Sequence, residues 1–152
     1  MTWASFAPAI PEIALVVAIC FVLMVEVFAG QTRQGIAGTA TLFSLVVCTG
    51  LTVLFGGVGE RTVLFSGMYV ADSLAYVLKL FGFLFVAFAL FYSGPYLAHR
   101  RITRGEYYVL ALTALLGIFV LISANNLLTV YIGVELLALS LYAMVAFDRE
   151  SG

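Results

Sequence analysis

Residues 127–147 read LLTVYIGVELLALSLYAMVAF. The stretch is apolar over the roughly 20 residues a helix needs to cross a bilayer. One ionisable residue, Glu135, stands near its middle. A carboxylate at that depth costs about 2.5–3.5 kcal/mol on the insertion scale. Six leucines in the same stretch, at roughly −0.5 kcal/mol each, offset about that much. The helix therefore inserts, and Glu135 is the residue that needs a reason.

At about 100° per residue, Tyr131, Glu135, Ala138 and Tyr142 fall on one side of this helix, with Leu128 near the same line. The carboxyl thus has two phenols and a small residue as neighbours. Such a stripe is expected to face a protein interior or a water-filled cavity, with Tyr131 and Tyr142 as the lining. A carboxyl switched between protonated and ionised states by a moving charge is a proton-relay element. The plainer reading is a permanently satisfied Glu that fixes helix packing. Buried ion pairs are weak devices for stability alone, so the burial cost of Glu135 points to function.

Composition agrees with a membrane setting. The chain has 152 residues, 64% hydrophobic and 10% charged, with mean hydropathy +1.15. A soluble domain carries about 25% charged residues. The class is all-α integral membrane protein. Net charge is −1, and no basic surface suggests nucleic acid. Cys20 and Cys48 lie in apolar runs and lack metal or disulfide spacing. His99 sits alone in a basic loop. The opening MTWASFAPAIPEI has no Lys or Arg and no cleavage-like site after its apolar run. It does not read as a cleaved signal peptide.

Five membrane helices are expected, at about 11–28, 36–55, 73–92, 106–123 and 127–147, in a single membrane domain. Pro11 suits a first helical position, and Glu12 follows in the first turn, where the dipole favours an anion. Glu26 falls in the last turn. Both glutamates read as interfacial anchors, and Trp3 fits an aromatic belt. In helix 2, Ala40, Ser44 and Cys48 form a small-residue stripe of the kind that lets helices approach closely. Gly56, Gly57 and Gly59, then Glu60 and Arg61, mark its exit loop. Asp72 is the expected N-cap of helix 3. The one lysine of the chain, Lys79, shares a face with Asp72 about 10 Å along the axis. It either snorkels toward the helix start or meets a polar partner inside the bundle, with a proton-path role open to it. The turn Ser123-Ala-Asn-Asn126 is too short for anything but antiparallel neighbours. With the N-terminus outside, the inner loops hold Arg33, Arg100, Arg101, Arg104 and Arg149, against Arg61 outside. The positive-inside rule favours that orientation. No dinucleotide or phosphate loop, catalytic triad or metal-ligand spacing occurs, and a single histidine excludes haem held by a His pair.

Gly105-Glu-Tyr-Tyr108, Ser123-Ala-Asn-Asn126 and Tyr131-Ile-Gly-Val-Glu-Leu-Leu-Ala-Leu-Ser140 resemble subunit N of the respiratory NADH–quinone oxidoreductase, complex I. Pro11-Glu12, Glu26, and Asp72 with Lys79 match its opening pattern. The resemblance covers nearly the whole chain and is most specific over 105–147; the Gly-x-Glu-Leu-x-x-Leu signature is shared with sister families. It implies part of a fourteen-helix, antiporter-like subunit of two inverted five-helix repeats in a bacterial inner membrane. Such subunits move protons while other subunits oxidise NADH and reduce quinone. It maps the helix 5 glutamate of the first repeat onto Glu135, and a helix 3 lysine onto Lys79. It implies no cofactor in this chain, with NADH, FMN, iron–sulfur clusters and quinone (ubiquinone or another) handled by other subunits. Its partners are then the neighbouring membrane-arm subunits and the bilayer. The chain stops after helix 5, before the partner lysine the family carries on helix 7, which reads as a fragment unable to pump protons alone. Two rivals use the same scaffold or none of its chemistry. One is a subunit of a multi-subunit cation/proton antiporter or membrane-bound hydrogenase, which the neighbouring genes would reveal. The other is a non-transporting membrane scaffold.

Overall fold

The computed structural model describes residues 7–29, 36–55, 61–99 and 105–149. Trp3, Arg33, Gly56, Gly57, Gly59, Glu60, Arg100, Arg101 and Arg104 lie outside the described residues. Five α-helices and one hairpin are described: α1 (Ile10–Ala29), α2 (Ile36–Phe55), β1 (Thr62–Leu64), β2 (Tyr69–Ala71), α3 (Ser73–His99), α4 (Glu106–Ile122) and α5 (Leu127–Arg149). Four of the helices are long and apolar enough to cross a membrane. The fourth in order, α4, is apolar but only 17 residues long. The protein is an all-α membrane protein.

The shortest helix is the central one. Ala111, Leu112, Ala114, Leu115, Gly117 and Phe119 of α4 are buried, and α1, α3 and α5 all pack against it. A helix apolar on every side belongs in a core. Leu15, Ala18 and Val22 of α1, Leu45 and Cys48 of α2, and Phe83 and Leu90 of α3 complete the cluster. Phe83 meets Phe119 edge-to-face with centroids 4.8 Å apart. Of the stripe Ala40, Ser44 and Cys48, the last two line a groove on α2 opposite Ala14 and Ala18 of α1, and Ala40 does not. Beside it, Thr41 and Thr52 are fully buried. Their hydroxyls donate to the carbonyls of Ala37 and Cys48 at 2.8 Å, so neither hydroxyl is left unmet in the apolar layer.

The helix ends follow local chemistry. Asp72 caps α3, its Oδ1 accepting from the Ala75 N–H at 2.7 Å. Asn126 accepts from the Leu128 N–H at 3.2 Å, capping α5. α3 runs on to His99, past the end at Tyr92 that the sequence suggests and past Pro95. A proline removes one hydrogen bond, and membrane helices tolerate that loss when the freed carbonyl finds another partner.

The segment between α2 and α3 is an antiparallel hairpin pairing Thr62 with Ala71, Val63 with Val70 and Leu64 with Tyr69. Its turn holds Phe65, Ser66 and Gly67 at positive φ. Strands of three residues are marginal alone. These are completed by the α4–α5 turn: the Val70 N–H donates to the Ser123 carbonyl at 2.9 Å, and the Asn125 N–H to the Met68 carbonyl at 3.1 Å.

Candidate functional site

Among the described residues, two groups of ionisable side chains on the membrane-length helices stand out, one inside the bundle and one on its surface. The first is built around Lys79. Its side chain is 4% exposed and its Nζ lies 2.6 Å from Oε1 of Glu12, itself 13% exposed. Lys79 also donates to the Tyr69 hydroxyl at 2.9 Å and stands 5.2 Å from the centre of that ring. The Tyr69 hydroxyl lies 2.8 Å from the Pro8 carbonyl and 3.0 Å from Glu12 Oε2. A phenol has one proton to give, so these two acceptors share it. Ser123 Oγ donates toward Glu12 Oε1 at 3.4 Å. Four elements therefore meet in one closed ring: the first turns of α1, strand β2, the second turn of α3 and the end of α4.

The electrostatics of the ring are balanced. One ammonium faces one carboxylate, and each of the two charged groups has a further hydrogen-bond partner. Such added hydrogen bonds are what a buried ion pair needs to persist. Burial, and then the nearby Glu12 carboxylate, push the Tyr69 phenol far above the ordinary tyrosine value. Its hydroxyl accordingly remains a donor to Glu12 or Pro8.

Glu12 thus has a different position from the interfacial anchoring that its place in the first turn suggests. The reason is Lys79, whose charge draws the carboxylate inward. Of the two outcomes open to Lys79, the polar partner holds. Glu26 is likewise engaged: its Oε1 accepts from the Gly105 N–H at 2.9 Å and so serves the start of α4. Glu12, Tyr69 and Ser123 are the residues that sequence reasoning missed. Two charges in apolar helices were visible as signals, but their meeting depends on long-range packing, since Glu12 and Tyr69 lie 57 residues apart.

The second place is the stripe on α5. The inner side of this helix is Gly133, Leu137, Ser140 and Met144, with Gly133 and Ser140 buried and Met144 against the core. Glu135 lies about 140–200° around the helix from these residues. It is exposed, as are Tyr131 at 65% and Tyr142 at 71%. Among the described residues Glu135 makes no hydrogen bond or ion pair, and the two tyrosines do not bond to it. The enclosure expected for the stripe is not supplied by the described helices. Nor is Glu135 joined to Lys79 by any described bond.

Close approach of backbones sets α5 at this heading. A Cβ on Gly117 would lie 2.9 Å from the Leu137 nitrogen and 3.1 Å from the Gly133 carbonyl oxygen. One on Gly133 would lie 2.8 Å from Cγ of Leu121. Small residues at such a contact are the usual means of helix association in lipid. They fix which side of α5 faces inward, and hence that Glu135 faces out.

No family model matches the chain. Among individual curated proteins the likeness is extensive. The chain is 47% identical over 97% of its length to NADH-quinone oxidoreductase subunit N of Alkalilimnicola ehrlichii. It is 43% identical to the subunit N of Nitrosomonas europaea, also over 97% of the chain. With the subunit N of Laribacter hongkongensis it shares 40% over 99%. The chain spans about 30% of the length of these relatives. Over the stretch it covers, the chain is therefore a relative of NADH-quinone oxidoreductase subunit N.

Proposed function

We propose that this chain is a membrane-arm portion of a NADH–quinone oxidoreductase, and that it takes part in proton translocation through Glu135. The observation that carries the reading is the pairing of two facts. The chain is kin to subunit N over nearly all its length, and it holds an ionisable carboxylate, exposed on its own helices, in the middle of a membrane span. A carboxylate on a lipid-crossing helix persists where it faces water or protein. In this reading Glu135 takes up and releases a proton, Tyr131 and Tyr142 line its surroundings, and NADH oxidation and quinone reduction take place in other subunits. NADH, FMN, iron–sulfur clusters and quinone are then handled outside this chain. The partners are the remaining membrane-arm subunits, and the membrane is the bacterial inner membrane with the hairpin on the outer side.

Lys79, the companion of Glu135 in the proton path read from the sequence, has its charge met by Glu12 within the bundle. A proton role for Lys79 requires that pair to open, so Glu135 carries the exchange and Lys79 is secondary to it. The test is Glu135→Gln in the assembled complex, with proton flux followed in inverted membrane vesicles. Flux per assembled complex is expected to fall by about 100-fold or more, the scale of a positioned proton-transfer group. Wild-type flux in that variant rules out Glu135 as the exchanging group.

A further inference from the structure

The heading of Glu135 is set by what holds α5, because the carboxyl itself has no bond among the described residues. α5 is held in two places. Along its length, Gly133 and Leu137 lie against Gly117 and Leu121 of α4. At its start, the hairpin holds the turn that leads into it. The Met68 carbonyl accepts from the Asn125 N–H at 3.1 Å and from the Thr129 hydroxyl at 3.2 Å. The Gly67 carbonyl accepts from Asn125 Nδ2 at 2.8 Å. The hairpin is in turn anchored by Tyr69, through Lys79, Glu12 and Pro8.

We infer that Tyr69, with Glu12 and Lys79, acts as a positioning group for Glu135. The ion-paired ring is the fixed end of a line of bonds. The line runs from Glu12 and Lys79 to Tyr69, along the backbone to Met68, and across to Asn125 and Thr129. Thr129 stands six residues before Glu135, about 9 Å up the same helix. α1 and α3 are thereby coupled to the depth of α5, although neither supplies a bond to Glu135. The ring is suited to this work because its members are bonded to one another and the Lys79 side chain is only 4% exposed. A loose anchor would not transmit position, and misplacement by about 1 Å can lower a reaction by as much as 100-fold. This role deepens the proposed proton exchange at Glu135 and rests on it.

The test uses the assembled oxidoreductase. Tyr69→Phe keeps the ring packing and removes the hydroxyl that joins Lys79, Glu12 and Pro8. The complex is expected to assemble in wild-type amount. Amide exchange across 127–135 is expected to quicken about fivefold, the scale of one lost hydrogen bond. Proton flux per assembled complex is expected to fall about threefold or more. Thr129→Val, at the far end of the line, is expected to act in the same direction to a smaller degree. Thr129→Ser keeps the hydroxyl and is expected to restore both readings. Wild-type exchange at 127–135 in Tyr69→Phe overturns the inference, as does a fall in flux with exchange unchanged. Should Tyr69→Phe fail to assemble, the two Thr129 variants decide: a loss in Val that Ser restores supports the role, and equal behaviour overturns it. Glu135→Gln run alongside keeps the two readings apart. Wild-type flux there removes the proposed exchange, while the exchange measurement on Tyr69→Phe still decides whether the ring holds α5.

Discussion

Lys79 and Glu12 show how two costly residues become tolerable together. Each alone is a charge in an apolar helix. Paired at 2.6 Å, with Tyr69 and Ser123 adding hydrogen bonds, they form a neutral unit. Removing one partner strands the other, and the cost of a stranded buried charge is about 3–5 kcal/mol. Lys79→Met should therefore lower the melting temperature of the assembled complex sharply. The double change Lys79→Met with Glu12→Gln should restore much of the loss, since no uncompensated charge remains. Equal damage in the single and double variants would show that the pair is not what the charges contribute. The sequence makes both residues conspicuous but not their meeting. Glu12 sits where a helix dipole welcomes an anion, which is sufficient local reason for an interfacial site. The pull inward comes from a side chain on another helix, and no local rule contains it. Glu135 is the reverse case: its side of α5 follows from helical spacing, while its exposure depends on which helices surround it.

Among the elements, the helices were legible because length and apolarity decide them almost alone in a membrane. The hairpin was not. Its strands are three residues each, and its turn places Phe65, a residue without turn preference, at positive φ beside Ser66 and Gly67. Bonds to Ser123 and Asn125 complete it, and those partners are distant in sequence. The contact between α4 and α5 was half legible. Their short connection required antiparallel neighbours, but the role of Gly117 and Gly133 emerges only from backbone distances. Gly117→Ala places a methyl group 2.9 Å from a backbone nitrogen, which cannot rotate away. The expected cost is about 1–3 kcal/mol, as for other overpacked contacts. Gly50→Ala on α2 is the control, since its Cβ meets nothing within 4 Å. It should be neutral or slightly stabilising, because Ala favours a helix over Gly by about 1 kcal/mol. Melting of the assembled complex distinguishes the two, and a harmless Gly117→Ala would mean that α5 does not ride on α4 as closely as described.

At the scale of the whole molecule, two sets of bonds tie the two ends of the bundle. One end carries the hairpin, the α4–α5 turn and the start of α1, tied together through Tyr69, Pro8 and Ser123. The other carries the end of α1 and the start of α4, tied by Glu26 and Gly105. These ties fix which loops share a side, so a single orientation test applies to all of them. In the sequence, Arg33 falls between α1 and α2, Arg100, Arg101 and Arg104 between α3 and α4, and Arg149 at the end of α5, against Arg61 between α2 and α3. Basic residues are retained on the cytoplasmic side, so the orientation expected from the sequence has the hairpin outside. Val63, on the hairpin and 52% exposed, and Glu106, exposed at the start of α4, are suitable reporters. With Val63→Cys, a membrane-impermeant maleimide added to intact spheroplasts should label the subunit. With Glu106→Cys, label should appear only in inverted vesicles. The native Cys20 and Cys48 lie within spans, so a parent with both changed to Ala provides the blank. The reverse pattern would place the hairpin in the cytoplasm, and because the ends are tied, every loop would change sides with it.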